Sequence, residues 1–257
     1  MPTDRRTSNL ARTIALGTTA TAVVSVPILG PLVLKTQENA EHYDTAITPP
    51  GYAFAVWAPI FAGIVANAAQ AALPSRSGLP ENRETGWPLA GAYALNTVWS
   101  VAAQSDRFGY TPALLPAAVA LTGVAYRRIQ SIPSDKDSIA SVSTGLLLGW
   151  TGLAATVNLS VGTQLLGADA TSKPSVVAST LAAVGAAGTL AAVIGRSRRG
   201  YVPLAAASAW GLLTTAVDAR RTATTRSGTA IGAAVILATT AARALRCSRR
   251  TWWKTVS

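Results

Sequence analysis

The sequence predicts an all-α fold, a polytopic bundle of membrane-spanning helices, and three observations carry that prediction. Only 13% of the 257 residues are charged while 49% are hydrophobic, against roughly 25% charged in a soluble domain. Eight apolar runs recur along the chain, near residues 13–34, 53–73, 87–104, 111–126, 139–162, 175–195, 201–217 and 228–245, most of them close to the roughly 20 residues that cross a bilayer. The basic residues gather between these runs rather than along one face of them, as membrane loops require. Mean hydropathy is a modest +0.32 because the runs are built from Ala, Gly, Thr and Val, small side chains that let membrane helices approach closely.

The runs differ in quality. The first follows Arg5 and Arg6 and has two readings, a retained helix or a secretory or twin-arginine leader. It is longer than the roughly 7–15 apolar residues of a leader and has no A-x-A cleavage site, which favours the retained helix. The fourth is short and contains Pro112 and Pro116, so a kinked, tilted or partly interfacial segment is expected there. The seventh is short as well. The eighth carries Arg243 near its end, where the side chain reaches back to the headgroups. Gly145 with Gly149 and Gly228 with Gly232 are each four residues apart, a spacing that favours close helix contacts.

Charge and composition exclude several functions. A net charge of +11 would point to phosphate binding in a soluble protein, but here the cations lie between spans, so no nucleic-acid partner is expected. With the N-terminus in the cytoplasm, sixteen of the 22 basic residues fall inside, in line with the positive-inside rule. Arg220, Arg221 and Arg226 are the exception, sharing one outer loop. This makes the chain a multi-pass protein, expected in the cell membrane with a cytoplasmic N-terminus. One Cys and one His allow no intrachain disulfide and no multi-histidine metal centre. His42 with Glu38, Glu41 and Asp44 reads as a solvated loop in preference to a weak metal site. No metal-ligating residue is therefore named.

All eleven acidic residues lie in loops or at the ends of runs. Ion-coupled transport ordinarily needs a carboxylate or His at mid-membrane, so it is disfavoured. No G-x-S-x-G, H-E-x-x-H or phosphate-binding Gly loop occurs, so no catalytic residue is named and a non-enzymatic protein is expected.

Three segments stand out. TPPGYAFAVWAPIF, residues 48–61, runs from a proline-rich loop into the second span; ALNTVWS, residues 94–100, lies in the third; LGWTGLAATVN, residues 148–158, lies in the fifth. Asn96 and Trp99 share a helix face, and Trp150, Ala154 and Asn158 recur at four-residue steps, predicting one shared face. Together, and in this order, the segments resemble the TspO/MBR family of tryptophan-rich sensory or translocator proteins. Val56, Trp57 and Phe61 follow that family's order, although the family's Gly-Pro before the Val is absent and Phe61 stands where a Tyr is usual.

The resemblance covers residues 13–166. It implies a five-helix bundle with a ligand site beneath the loop before the second helix, where family members bind tetrapyrroles and in some cases sterols. Carried onto this chain, it implies Trp57, Phe61, Asn96, Trp99, Trp150, Ala154 and Asn158 as ligand-binding residues, with the loop at 36–52 as a lid. Porphyrin or haem is then a ligand, and no cofactor is obligatory. Since Asn158 is followed by LSVGTQ, without the Tyr and Arg of the animal proteins' proposed sterol motif, a porphyrin fits better than a sterol. Family members often dimerise, so a homodimer is an implied assembly beside the lipid bilayer and the hydrophobic small molecule.

Plainer roles stand beside these. Tryptophans anchor helices at membrane interfaces, the expected role of Trp87, Trp252 and Trp253. Asn96 and Asn158 serve equally as interhelical hydrogen-bonding groups, and Ala154 as ordinary packing. The expected organisation is a cytoplasmic segment at 1–12, the five-helix region at 13–166, about three additional helices at 175–246, and a basic tail at 247–257 that adsorbs to anionic headgroups. The leading functional expectation is a binding, sensory or translocator protein for a hydrophobic planar ligand. An uncoupled small-metabolite carrier or permease, or a structural membrane protein without ligand, are the alternatives.

Overall fold

A computed structural model of the chain describes the backbone of residues 2–34, 43–105, 107–134 and 136–256, with side chains described over 7–30, 43–105, 107–134 and 136–246. Among the described residues there are eight α-helices and no strand: α1 Pro2–Leu34, α2 Trp57–Ala72, α3 Pro80–Ala103, α4 Thr111–Ser131, α5 Ile139–Leu165, α6 Lys173–Arg196, α7 Tyr201–Val217 and α8 Ala223–Val256. Two 3-10 turns, Gly51–Val56 and Phe108–Tyr110, lead into α2 and α4. Six helices are long and apolar enough to cross a membrane. The other two are α3, whose first turns carry Glu81, Arg83 and Glu84, and the 17-residue α7.

The helix ends follow local chemistry. Pro80 and Pro112 stand in the first turns of α3 and α4, where the missing N–H has no intrahelical partner in any case. Ser138 caps α5 in a reciprocal box with Ser141, and the Ser172 hydroxyl accepts from the Ser175 amide at the start of α6, satisfying donors that helix ends otherwise leave unpaired. The turn between α6 and α7 closes at Gly200, with φ of +69°; a Cβ there would lie 2.5 Å from the Ser141 carbonyl oxygen, so glycine is required twice over.

Some boundaries differ from the sequence reading. The fourth run is a complete span: α4 has 21 residues, with Pro112 accommodated at its start and Pro116 inside it. The third and eighth runs extend to Pro80 and to Val256, because their outer turns are polar and leave no hydropathy signal. Helix α1 also reaches back through residues 2–12.

Helix neighbours define two closed rings sharing one wall. In the first, α1 packs on α2, α2 on α5, α5 on α4, α4 on α3, and α3 back on α1. In the second, α5 packs on α7, α7 on α8, α8 on α6, and α6 on α5. The shared α5 is accordingly the most enclosed of the six apolar spans, with 67% of its apolar stretch buried. It can be approached so closely because Gly145 and Gly149 face α7: a Cβ on either would lie 2.3 or 2.2 Å from the carbonyl oxygens of Gly200 and Leu204. Gly228 and Gly232 do the same for α8 against α6, facing Thr180 and Ala187.

Both ends of the bundle are fastened by buried cations. At one end Arg199, only 2% exposed, donates to Glu81 Oε1 at 2.6 Å and to the Ile129 carbonyl at 2.9 Å. Tyr126 and Gln130 donate to the Arg199 carbonyl, and the Gly200 amide donates to Asp137. This joins the α6–α7 turn to α3, α4 and the start of α5. Arg243 also lies at this end, donating to the Ser197 carbonyl. At the opposite end Arg221 makes a bidentate pair with Asp44, both contacts 2.8 Å, and donates to the Thr45 carbonyl. The basic loop that runs against the positive-inside rule is thus largely neutralised: Arg220 and Arg221 pair with Asp218 and Asp44, and Arg226 donates to the Ala216 carbonyl.

Candidate functional site

The segment at 43–56, which leads into α2, enters the first ring from the Asp44 end. Gln164 donates to the Asp44 carbonyl, Tyr43 stacks on Phe108 with ring centroids 4.2 Å apart, and Ile47 and Ala53 are buried. The segment then coils into the Gly51–Val56 turn, which packs on α2 and α7. Trp210 of α7 donates its indole N–H to the Ala53 carbonyl at 2.8 Å and meets Tyr52 edge to face. Of the loop expected as a lid, residues 36–42 lie outside the described residues, as do Glu38, Glu41 and His42 of the weak metal reading. Asp44, the fourth member, is held by Arg221.

Beneath this turn lies an aromatic cluster. Trp57 and Phe61, one turn apart on α2, stack at 5.1 Å with planes 27° apart. Both are half-buried against a core that contains Val56, Ile60, Ile64, Tyr93, Leu147 and Trp150. Trp150 is 3% exposed. Phe54 meets it edge to face at 5.6 Å, and on its other side it reaches the α7 backbone, where a Cβ on Gly211 would lie 3.2 Å from its ring.

The other residues named from the sequence sit in a second cluster. Trp99 and Ala154 pack with Leu95 against Leu115, Ala118 and Ala155, between α3, α4 and α5. Trp99 donates its indole N–H to Asn158 Oδ1 at 2.9 Å, and Asn158 Nδ2 donates to the Ala154 carbonyl. Asn96 is buried and bonds to the Ala92 carbonyl of its own helix, leaving its Oδ1 without a partner. The seven residues therefore fall into two groups, Trp57, Phe61 and Trp150 in one, and Trp99, Ala154 and Asn158 in the other with Asn96 beside Trp99 on α3. The expected single face of Trp150, Ala154 and Asn158 is divided, since each four-residue step overshoots a full turn by about 40°.

Sequence reasoning missed Phe54, Trp210 and Arg221. Phe54 was visible within the second-span motif. Trp210 and Arg221 belong to α7 and the turn after it, and nothing in their own surroundings announces a partner more than 150 residues earlier. The Asp218 carboxyl beside them is held below its ordinary value, first by the hydrogen bond from the Arg220 side chain, against which burial acts in the opposite sense. Trp87, read as an interface anchor, is exposed at 53%; Trp252 and Trp253 lie where side chains are not described.

An all-α, multi-pass membrane protein, with an aromatic cluster under a clamped re-entering turn, is the class that these features define. A family model described as TSPO-like protein matches residues 9–243, and the chain belongs to that family. The match runs on through α6, α7 and most of α8, so the last three helices are part of what this family model describes and not an addition peculiar to this chain. No curated protein and no solved structure matches.

Proposed function

We propose that this TspO-like membrane protein binds a hydrophobic planar molecule such as a porphyrin, in a sensory or translocating role, within the five-helix ring. The observation that supports this reading most is the convergence of Trp57, Phe61 and Trp150 in one cluster beneath the Gly51–Val56 turn. Flat indole and phenyl faces offer a planar ring offset or edge-on contacts. Phe54 already makes such a contact with Trp150, so a planar ligand takes the place of Phe54 and the turn that carries it is displaced. Trp99 and Asn158 tie α3 to α5 and hold the ring in shape, and Asn96 and Ala154 complete that side. The Arg199 end faces the cytoplasm of a cell-membrane protein, and the ligand is not an obligatory cofactor.

The test is a titration of purified protein in detergent with protoporphyrin, followed by tryptophan fluorescence, in wild type and Trp150→Leu. Saturable quenching at micromolar affinity or tighter, about 8 kcal/mol, weakened at least tenfold by the substitution, is expected. No saturable quenching in folded wild type overturns the reading and moves the choice to a carrier or a ligand-free structural protein.

A further inference from the structure

We propose that Arg12, Arg76 and Arg83 hold the phosphate of an anionic phospholipid at the Arg199 end of the bundle. Arg12 stands near the start of the apolar span Thr7–Gly30 and is only 5% exposed. Its stem lies across α3 at Gly86, where a Cβ would come within 2.5 Å of Cδ and 2.7 Å of Cγ. Its Nη2 donates to the Ser77 carbonyl at 2.7 Å, in the turn between α2 and α3. Nε and Nη1 have no partner among the described residues and are not sealed from the surface.

A buried cation ordinarily has a carboxylate beside it. Arg12 has instead a second cation, Arg83, three residues before Gly86 and close enough to repel it, while Arg76 is exposed next to Ser77. The described acidic groups at this end are engaged elsewhere: Glu81 pairs with Arg199, and Asp137 accepts from the Gly200 amide and the Ser141 hydroxyl. Glu84 is exposed on the α4 side of α3, where its carbonyl accepts from Arg128. The balancing anion therefore comes from outside the chain, and a phosphate matches the guanidinium fork. The surroundings select a lipid over the free ion. Leu79, Arg83 and Trp87 recur at four-residue steps and are all exposed, forming one stripe on α3 beside Gly86. Apolar side chains on either side of the cation suit a molecule with acyl chains, and an exposed Trp belongs at headgroup level. Basic pockets between helices on the cytoplasmic side hold anionic headgroups in this way. The site stands apart from the aromatic cluster and does not depend on a planar ligand.

Native mass spectrometry of the full chain in neutral detergent tests this, with phosphatidylglycerol set against phosphatidylcholine. Wild type is expected to retain one phosphatidylglycerol about tenfold more tightly, and Arg12→Gln to lose about fivefold of that preference, the share of one cation near a headgroup. Gly86→Ala keeps every charge but displaces the Arg12 stem, and is expected to weaken the preference as well. Should Arg12→Gln not fold, Arg83→Gln at its exposed position is expected to lose a similar share. Arg127→Gln, which removes an exposed cation of α4, is expected to leave the preference unchanged, and millimolar inorganic phosphate to leave the lipid bound. An unchanged preference in folded Arg12→Gln or Arg83→Gln overturns the proposal. So does an equal loss in Arg127→Gln, the mark of diffuse attraction to a basic end, and so does displacement by inorganic phosphate, which assigns the site to the free ion.

Discussion

Both rings that share α5 bury hydroxyls bonded within their own helix, Thr122 in the first and Thr180 in the second among them, and they differ in what else they bury. In the second ring, the hydroxyls of Thr180, Ser208, Thr214, Thr215, Thr229 and Thr240 each bond to a carbonyl one turn back in their own helix. Such groups cost little in lipid and need nothing from a neighbour. In the first ring Tyr93 brings its hydroxyl to the side chains of Ser143 and Asn67 on neighbouring helices, Asn96 Oδ1 has no partner, and the aromatic side chains of Phe54, Trp57, Phe61 and Trp150 gather in the same ring. Under the proposed function the second ring is scaffold and the first is the part that meets the ligand. The scaffold also holds the entrance, since Trp210 and Arg221 fasten the segment at 44–56.

This division can be strained from several sides. Arg199→Ala is expected to have the largest effect, about 4 kcal/mol, because it leaves Glu81 without its cation at the seam of the rings; denaturant unfolding in detergent measures it. Gly149→Val drives a side chain into the Leu204 carbonyl and is expected to cost about 3 kcal/mol by the same measurement. Both changes separate the rings, so both are expected to loosen the entrance.

Trp99→Phe removes one interhelical hydrogen bond and is expected to cost about 1 kcal/mol. Thr229→Val in the second ring removes a bond to its own helix and is expected to stay within about 0.5 kcal/mol. Equal effects for these two would erase the contrast between the rings.

Acidification probes the entrance itself. Because the folded Asp218 carboxyl titrates below its ordinary 3.8, its contribution to stability is complete above that value and is lost as pH falls through the lower folded value. The protection of residues 43–56 against hydrogen exchange, taken relative to the intrinsic exchange rate at each pH, is expected to fall only in that acidic window and to stay constant between about pH 6 and 8, where the Asp218 carboxyl is ionised.

Much of the fold was legible because lipid makes apolar length a strong signal. Each of the eight runs marks a helix, and Gly145, Gly149, Gly228 and Gly232 sit at close helix contacts as their spacing predicted. Trp57, Phe61 and Trp150 could be named from motifs because their neighbours in sequence are unusual. What stayed hidden depends on long-range placement. Arg199 looked like one more loop cation beside Arg196 and Arg198, yet it is the largest fully buried side chain among the described residues. Tyr93 and Ser143 look ordinary in their own helices, and only packing brings them to Asn67.

The most direct test of the division between site and scaffold is the protoporphyrin affinity of Trp57→Leu beside that of Thr229→Val. A loss of at least tenfold, about 1.4 kcal/mol, in the first and wild-type affinity in the second is the expected result. Equal affinities in the two folded variants, or no saturable binding in wild type, would contradict it.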